Sequence, residues 1–235
     1  MAKSAPTSVR HPKPRRPHVT PQEVLDLLTP EYGQQSPKPR FDPISELVFT
    51  ILSQHTSDLN SEKAFHALQK HFGSWEAVAA ADAEAIAEPI RSGGLARIKA
   101  PRIKDVLERV LDLRGSLDLS FLKDLSLEEA KAWLQALPGI GPKTAAVVLC
   151  FSLGMPAMAV DTHVHRVSKR LGFIGPKVTA DQAHPILEAM VDPDEVYAFH
   201  VDLITHGRRV CKAQRPLCGE CVLEWGCPSS LVRTP

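Results

Sequence analysis

What this 235-residue chain lacks narrows what it can be. No run of about 18 or more apolar residues occurs, so no membrane-spanning helix is expected. The N-terminus lacks the apolar core of a secretory signal, which sets the expectation of a cytoplasmic protein, nucleoid-associated if bacterial. Net charge is nearly absent, 28 Lys and Arg against 27 Asp and Glu. Binding to a polyanion therefore cannot rest on bulk charge and has to use local patches and backbone donors. From residue 21 onward no two-residue alternation marks a strand. Acidic residues are missing from residues 1–20, which hold Lys3, Arg10, Lys13, Arg15 and Arg16.

What remains is an ordinary globular composition, 43% hydrophobic and 23% charged, enough for one large domain or two small ones sharing a core. Residues 1–20, rich in proline and basic side chains, are expected to be a disordered tail with at most salt-dependent attraction to phosphate. Beyond them the pattern is helical. Asp42-Pro43 caps and opens an apolar segment running to about Gln54. Ser61 is expected to open the next helix, with Ala64, Leu68 and Phe72 on one face before Gly73. Ser74 and Asp82 read as caps of two short helices, and Ser92-Gly93-Gly94 breaks the second. A longer helix near 98–114 would carry Ile98, Ile103, Val106, Val110 and Leu113 on an apolar stripe. Ser126 with Glu129, and Thr179 with Gln182, form capping boxes. About ten short helices result, and the class is all-α.

Between helical segments 126–136 and 142–153 lies Leu137-Pro-Gly139-Ile-Gly141-Pro-Lys143. Two glycines permit a tight turn whose backbone N–H groups, beside a helix N-terminus, suit a phosphate. A lysine in the first turn of a helix opposes the dipole, so Lys143 reads as retained for chemistry or for phosphate contact. Eighteen residues later, Asp161 in VDTHVHR is a good N-cap for a helix running to Leu171. Four of the five cysteines, Cys211, Cys218, Cys221 and Cys227, crowd into 17 residues, an arrangement that argues for metal rather than disulfides. The spacing suits tetrahedral zinc or a [4Fe–4S] cluster alike. Arg208, Arg209, Lys212 and Arg215 make this region locally basic, and Cys150, among apolar neighbours, reads as a core thiol.

Across roughly residues 41–227 these motifs, in this order and spacing, resemble the helix–hairpin–helix DNA glycosylases of the endonuclease III type. The resemblance implies two all-α lobes: a six-helix barrel over 41–155 ending in the hairpin, and a cluster lobe combining 21–40 with 156–235. It implies that Lys143 attacks C1′ of a damaged nucleoside, with Asp161 stabilising the sugar cation and helping to deprotonate the amine. The x6, x2, x5 cysteine spacing resembles the family's iron–sulfur loop, which makes [4Fe–4S] the expected cofactor. Ser53-Gln54-His55-Thr56-Ser57-Asp58 is similar to the segment that fills the gap left by a flipped base. Residue type favours Gln54, whereas anchoring on Asp58 favours His55. Gly93-Gly94-Leu95 resembles the loop whose leucine wedges into the opposite strand. Gly139, Gly141, His163, Arg208, Lys212 and Arg215 complete the expected DNA contacts, while His165 has no assigned role.

The implied protein is a monomer acting on double-stranded DNA with damaged bases or abasic sites. It would remove oxidised pyrimidines and cleave the abasic site by β-elimination. Gln135, where members often carry glutamate, and Thr50, where adenine glycosylases keep one, are departures that bear on base preference. The rival readings are a glycosylase for alkylated purines, uracil or mismatched thymine, and a non-catalytic iron–sulfur DNA-binding protein.

Overall fold

A computed structural model describes residues 18–232, and every described regular element is helical. The helices are α1 (Pro21–Tyr32), α2 (Pro43–Ser53), α3 (Asp58–Phe72), α4 (Trp75–Ala80), α5 (Ala83–Ala87), α6 (Ala96–Arg114), α7 (Leu127–Gln135), α8 (Pro142–Leu153), α9 (Thr162–Leu171), α10 (Ala180–Glu188) and α11 (Val196–Arg209). Short 3₁₀ turns punctuate them, among them Arg91–Gly93 and Cys218–Glu220. Among the described residues no helix is long and apolar enough to cross a membrane.

Both expected capping boxes form, at the starts of α7 and α10. A third was overlooked: Thr20 and Glu23 cap α1 reciprocally, and Val19 beside them is buried. The ordered fold thus includes residues 18–20, which the tail assignment had swept up. The tail's five basic residues lie outside the described part. Helix α3 begins earlier than expected. Ser57 is its N-cap, and Ser61 is buried inside it, its hydroxyl donating back to the Ser57 carbonyl at 3.0 Å. Helix α6 buries Lys99, Ala100, Ile103, Val106, Leu107 and Val110, whereas Ile98 and Leu113 are exposed. Ile98 lies five residues before Ile103, roughly 140° round the helix, so it cannot share that face.

Buried apolar side chains fall into two clusters. One gathers residues of α2 to α8, including Leu47, Ile51, Phe65, Ile103, Leu134 and Leu149. The other joins α1 to the C-terminal helices through Val24, Leu28, Val164, Leu187, Phe199 and Leu203. Burying such side chains contributes about 1.5–3 kcal/mol each before chain entropy is set against it. A polar tie crosses between the clusters. Lys131 of α7 pairs with Glu188 of α10, and the other oxygen of Glu188 accepts from the Met158 N–H at 2.9 Å.

Candidate active site

The turn between α7 and α8 is built by its glycines. Gly139 adopts φ +71°, and a Cβ there would also come within 2.9 Å of Arg102 Nε. The positive φ is what favours glycine here, since the Arg102 side chain can swing aside. Gly141 is the N-cap of α8, Pro142 follows at its first position, and no side chain caps the first-turn N–H groups. Those donors are available to an anion. Lys143 is exposed immediately behind them.

Asp161 caps α9, its Oδ1 accepting from the N–H groups of His163 and Val164 at 2.8 and 2.7 Å. The irregular stretch leading to it is held by side chains rather than by a sheet. His184 Nδ1 bonds the Met158 carbonyl at 2.6 Å, and His200 Nδ1 bonds the Ala159 carbonyl at 2.7 Å. Lys143 and Asp161 line one cavity, with Val147, Phe151 and Ile204 as apolar wall and Lys38, Arg40, Tyr197 and His200 as polar wall. The shape is that of a ligand site, a few converging polar groups on an apolar floor.

Four of these residues were not anticipated. His200 is buried on α11 with its ring edge-on to Phe151, centroids 5.4 Å apart. Burial holds its pKa below the ordinary value, against an upward pull from Asp161, while Lys143 adds to the lowering. The ring is therefore neutral, with Nδ1 donating and Nε2 left as acceptor. Arg40 pairs with buried Glu46 at 2.6 Å and lies over the Phe49 ring. The signal for His200 was a histidine on the apolar face of α11, between Val196 and Leu203. Lys38 and Arg40 sit in an irregular stretch that offered none.

The other expected contact residues are distributed as follows. Gln54 is the C-cap of α2, and its Oε1 accepts from Arg102 Nη1 at 2.7 Å. His55 next to it is exposed with φ +54°. Leu95, at the N-cap of α6, has the same φ and is 48% exposed. His163 packs against α11, where a Cβ on Gly207 would come within 3.0 Å of it, and its Nδ1 accepts from Arg166 at 3.1 Å. His165 bonds the Val178 carbonyl at 2.9 Å. Arg208, Lys212 and Arg215 are exposed, and Arg208 pairs with Asp58 at 3.1 Å. Gln135 is exposed and donates to the Lys131 carbonyl, and Thr50 is buried.

Cys211, Cys218, Cys221 and Cys227 line a common cavity. Burial, with the three neighbouring thiols adding to it, pushes Cys221 up to about 11. Such mutual repulsion between thiolates is what a bound cation relieves. Among the described residues no three His, Cys, Asp or Glu side chains converge as a site for a single metal ion. Arg170 Nη1 donates to Cys211 Sγ at 3.3 Å, and His206 Nε2 lies 3.5 Å from Cys221 Sγ. Cys150 is separate, buried in the first core with its pKa raised by burial to about 12.

The family match and the likeness to endonuclease III make this all-helical body that of a base-excision DNA glycosylase. The chain belongs to the HhH-GPD superfamily of base excision DNA repair proteins, whose family model matches residues 48–193. Endonuclease III of Thermotoga maritima is 38% identical over 186 residues, covering 79% of this chain and 83% of that protein. A DNA glycosylase of Arabidopsis thaliana is 36% identical over 190 residues, 80% of this chain but 62% of that longer protein. A trapped covalent intermediate of endonuclease III with DNA superposes with a TM-score of 0.76 at 30% identity, covering 90% of this chain and 97% of that one.

Proposed function

We propose that the chain is a bifunctional glycosylase and abasic-site lyase acting on oxidised pyrimidines in duplex DNA. The observation that carries this reading is the shared cavity of Lys143 and Asp161. The Lys143 amine forms a bond to C1′ as the glycosidic C–N bond breaks and its electron pair leaves with the base. Loss of a proton from nitrogen and opening of the sugar ring yield a Schiff base. Removal of a C2′ proton then expels the 3′ phosphate by cleavage of the C3′–O bond. Asp161, anchored through one oxygen to two backbone N–H groups, stabilises the positive charge that develops on the sugar.

Duplex DNA is the proposed partner, bound by a monomer in the cytoplasm. Gly139 and Gly141 place backbone donors toward a phosphate, and Arg208, Lys212 and Arg215 supply a basic surface. Gln54 or His55 fills the vacated stack, and Leu95 enters the opposite strand. The two clusters of buried residues support a two-lobed division, with 41–155 as one lobe and 21–40 plus 156–235 as the other.

Cys211, Cys218, Cys221 and Cys227 would hold a [4Fe–4S] cluster. The gathering of all four cysteines at one cavity and the family resemblance of their spacing support this reading. When bound, the cluster supplies iron–thiolate bonds that brace the 211–227 loop.

Borohydride trapping with a duplex bearing one oxidised pyrimidine tests the mechanism. The unmodified chain is expected to form a covalent adduct, and Lys143→Gln to trap nothing while still binding DNA. No adduct with the unmodified chain would sink the lysine mechanism. A panel of duplexes carrying alkylated purine, uracil or mismatched thymine separates the base preferences.

A further inference from the structure

The two turns expected to enter the duplex are joined inside the protein by one buried ammonium group. Lys99, in the first turn of α6, is 2% exposed. Its Nζ donates to the Leu52 carbonyl at 2.5 Å, to Thr56 Oγ1 at 2.6 Å and to the Gly93 carbonyl at 3.2 Å. Three acceptors take all three protons of the ammonium. Thr56 Oγ1 in turn donates to the Gly93 carbonyl at 2.6 Å, which doubles the link between the turns.

No carboxylate is among these contacts, so the charge is costly to bury. What offsets it is the end of α2. The Leu52 carbonyl is among the last four of that helix, which lack intrahelical partners and carry the negative end of the dipole. On either side of the link stands a non-glycine residue held in the left-handed region, His55 and Leu95, both at φ +54°. Such conformations persist only where the surroundings over-determine them, and they cluster at functional positions.

We infer that Lys99 is a positioning residue that makes the 54–57 turn and the 93–95 turn a single rigid wedge, so that both enter the duplex together. The ligand in this inference, an opened duplex, rests on the glycosylase reading above. The linkage is a property of the free protein and is measurable without DNA.

Hydrogen exchange on the full chain without DNA, followed by single-turnover kinetics, tests it. Lys99→Met is expected to speed exchange of both turns together by about tenfold, the scale of one lost buried hydrogen bond, with α8 and α9 unchanged. Excision of an oxidised pyrimidine from duplex should then fall by about tenfold or more. Borohydride trapping on a preformed abasic site, where no base has to leave the stack, should stay within about threefold of the unmodified rate. Loosening of one turn alone, or of neither, overturns the inference, and so does excision and trapping falling in parallel. If Lys99→Met fails to fold, Thr56→Val decides. It removes one strand of the link and should give the same signature at smaller size. If the unmodified chain excises no base, the functional reading has failed while the exchange measurement still rules on the linkage.

Discussion

His200 donates its Nδ1 proton to the carbonyl oxygen of Ala159 at 2.7 Å, two residues before Asp161. The place of the carboxylate is therefore set by α11, a helix that follows it by 35 residues in sequence and is anchored in the second core. The neighbouring carbonyl, Met158, is held in the same way by His184 of α10. Both histidines are buried, both use Nδ1, and neither touches the helix that Asp161 caps through these bonds.

Replacing His200 should therefore reach Asp161 without altering it. His200→Ala removes the bond and most of the ring, and the expected cost is about 2–4 kcal/mol from cavity and hydrogen bond together. Urea unfolding measures that loss. Single-turnover excision should fall as well, while His200→Asn, which keeps a donor, should recover most of the stability. An Ala variant as active and as stable as the parent would show that Asp161 is positioned by other means.

Stability should fall on mild acidification. Burial lowers both His184 and His200 below their ordinary 6.5. The unfolded chain then binds protons that the folded one refuses, so their contribution is complete above pH 6.5 and is lost as pH falls below it. Asp202 acts in the opposite direction. Burial raises its carboxyl from 3.8 to about 6, so its penalty is full above pH 6 and is relieved as pH falls toward 3.8. Urea midpoints at pH 7.5 and 5.5 measure the balance. With three histidines, His184, His200 and His206 (which burial lowers to about 4), against one carboxyl, the lower pH should give the lower midpoint, and His184→Gln should narrow the gap. Asp202→Asn should raise the midpoint at pH 7.5.

Gly139→Ala should strain the hairpin through its backbone, while the Arg102 side chain shifts to admit the methyl group. The residue is held at φ +71°, and the new methyl group would meet Arg102 at 2.9 Å. The expected cost is about 1–2 kcal/mol. Affinity for undamaged duplex should weaken in the same variant, measured by fluorescence anisotropy at fixed salt. Gly33→Ala, which has a positive φ but nothing within 4 Å, should cost stability without touching DNA affinity.

The cysteine loop makes a spectroscopic prediction. Purified protein should be brown, with a broad visible absorption and iron in place of zinc. Cys221→Ser should lose iron and colour, and its urea midpoint should drop. A colourless protein carrying zinc would overturn the cluster assignment.

How much of this was legible in the sequence depended on how local the signal was. The pairs Ser126 with Glu129 and Thr179 with Gln182 lie three residues apart and read directly as capping boxes. Thr20 with Glu23 is the same device, obscured by a proline-rich basic neighbourhood. Ser61 misled because serine favours caps, whereas inside a helix it satisfies itself on the preceding turn. In α6 the first buried position is taken by Lys99, while Ile98 faces outward, because Lys99 reaches acceptors on the end of α2 and in the turns at Thr56 and Gly93. Lys143 and Asp161 stood out through their places at helix starts. The walls around them did not, since Lys38, Tyr197 and His200 come from segments remote in sequence, and only packing brings them to one cavity.

The second core is closed by its own two extremes. Helix α1 touches α11 through contacts such as Tyr32 Oη to His206 Nδ1 at 3.0 Å, 174 residues apart, and Gln22 to Glu195 at 3.3 Å. During synthesis α1 emerges before the first core and its partner α11 after it. Its apolar face, Val24, Leu25 and Leu28, has to wait through the emergence of the whole first core. Assembly should therefore be ordered: the first core consolidates early on near-neighbour contacts, and the second core closes only when α11 arrives. A chain from which α11 has not yet emerged would consequently possess Lys143 without its opposing carboxylate in place, and should be chemically silent toward DNA.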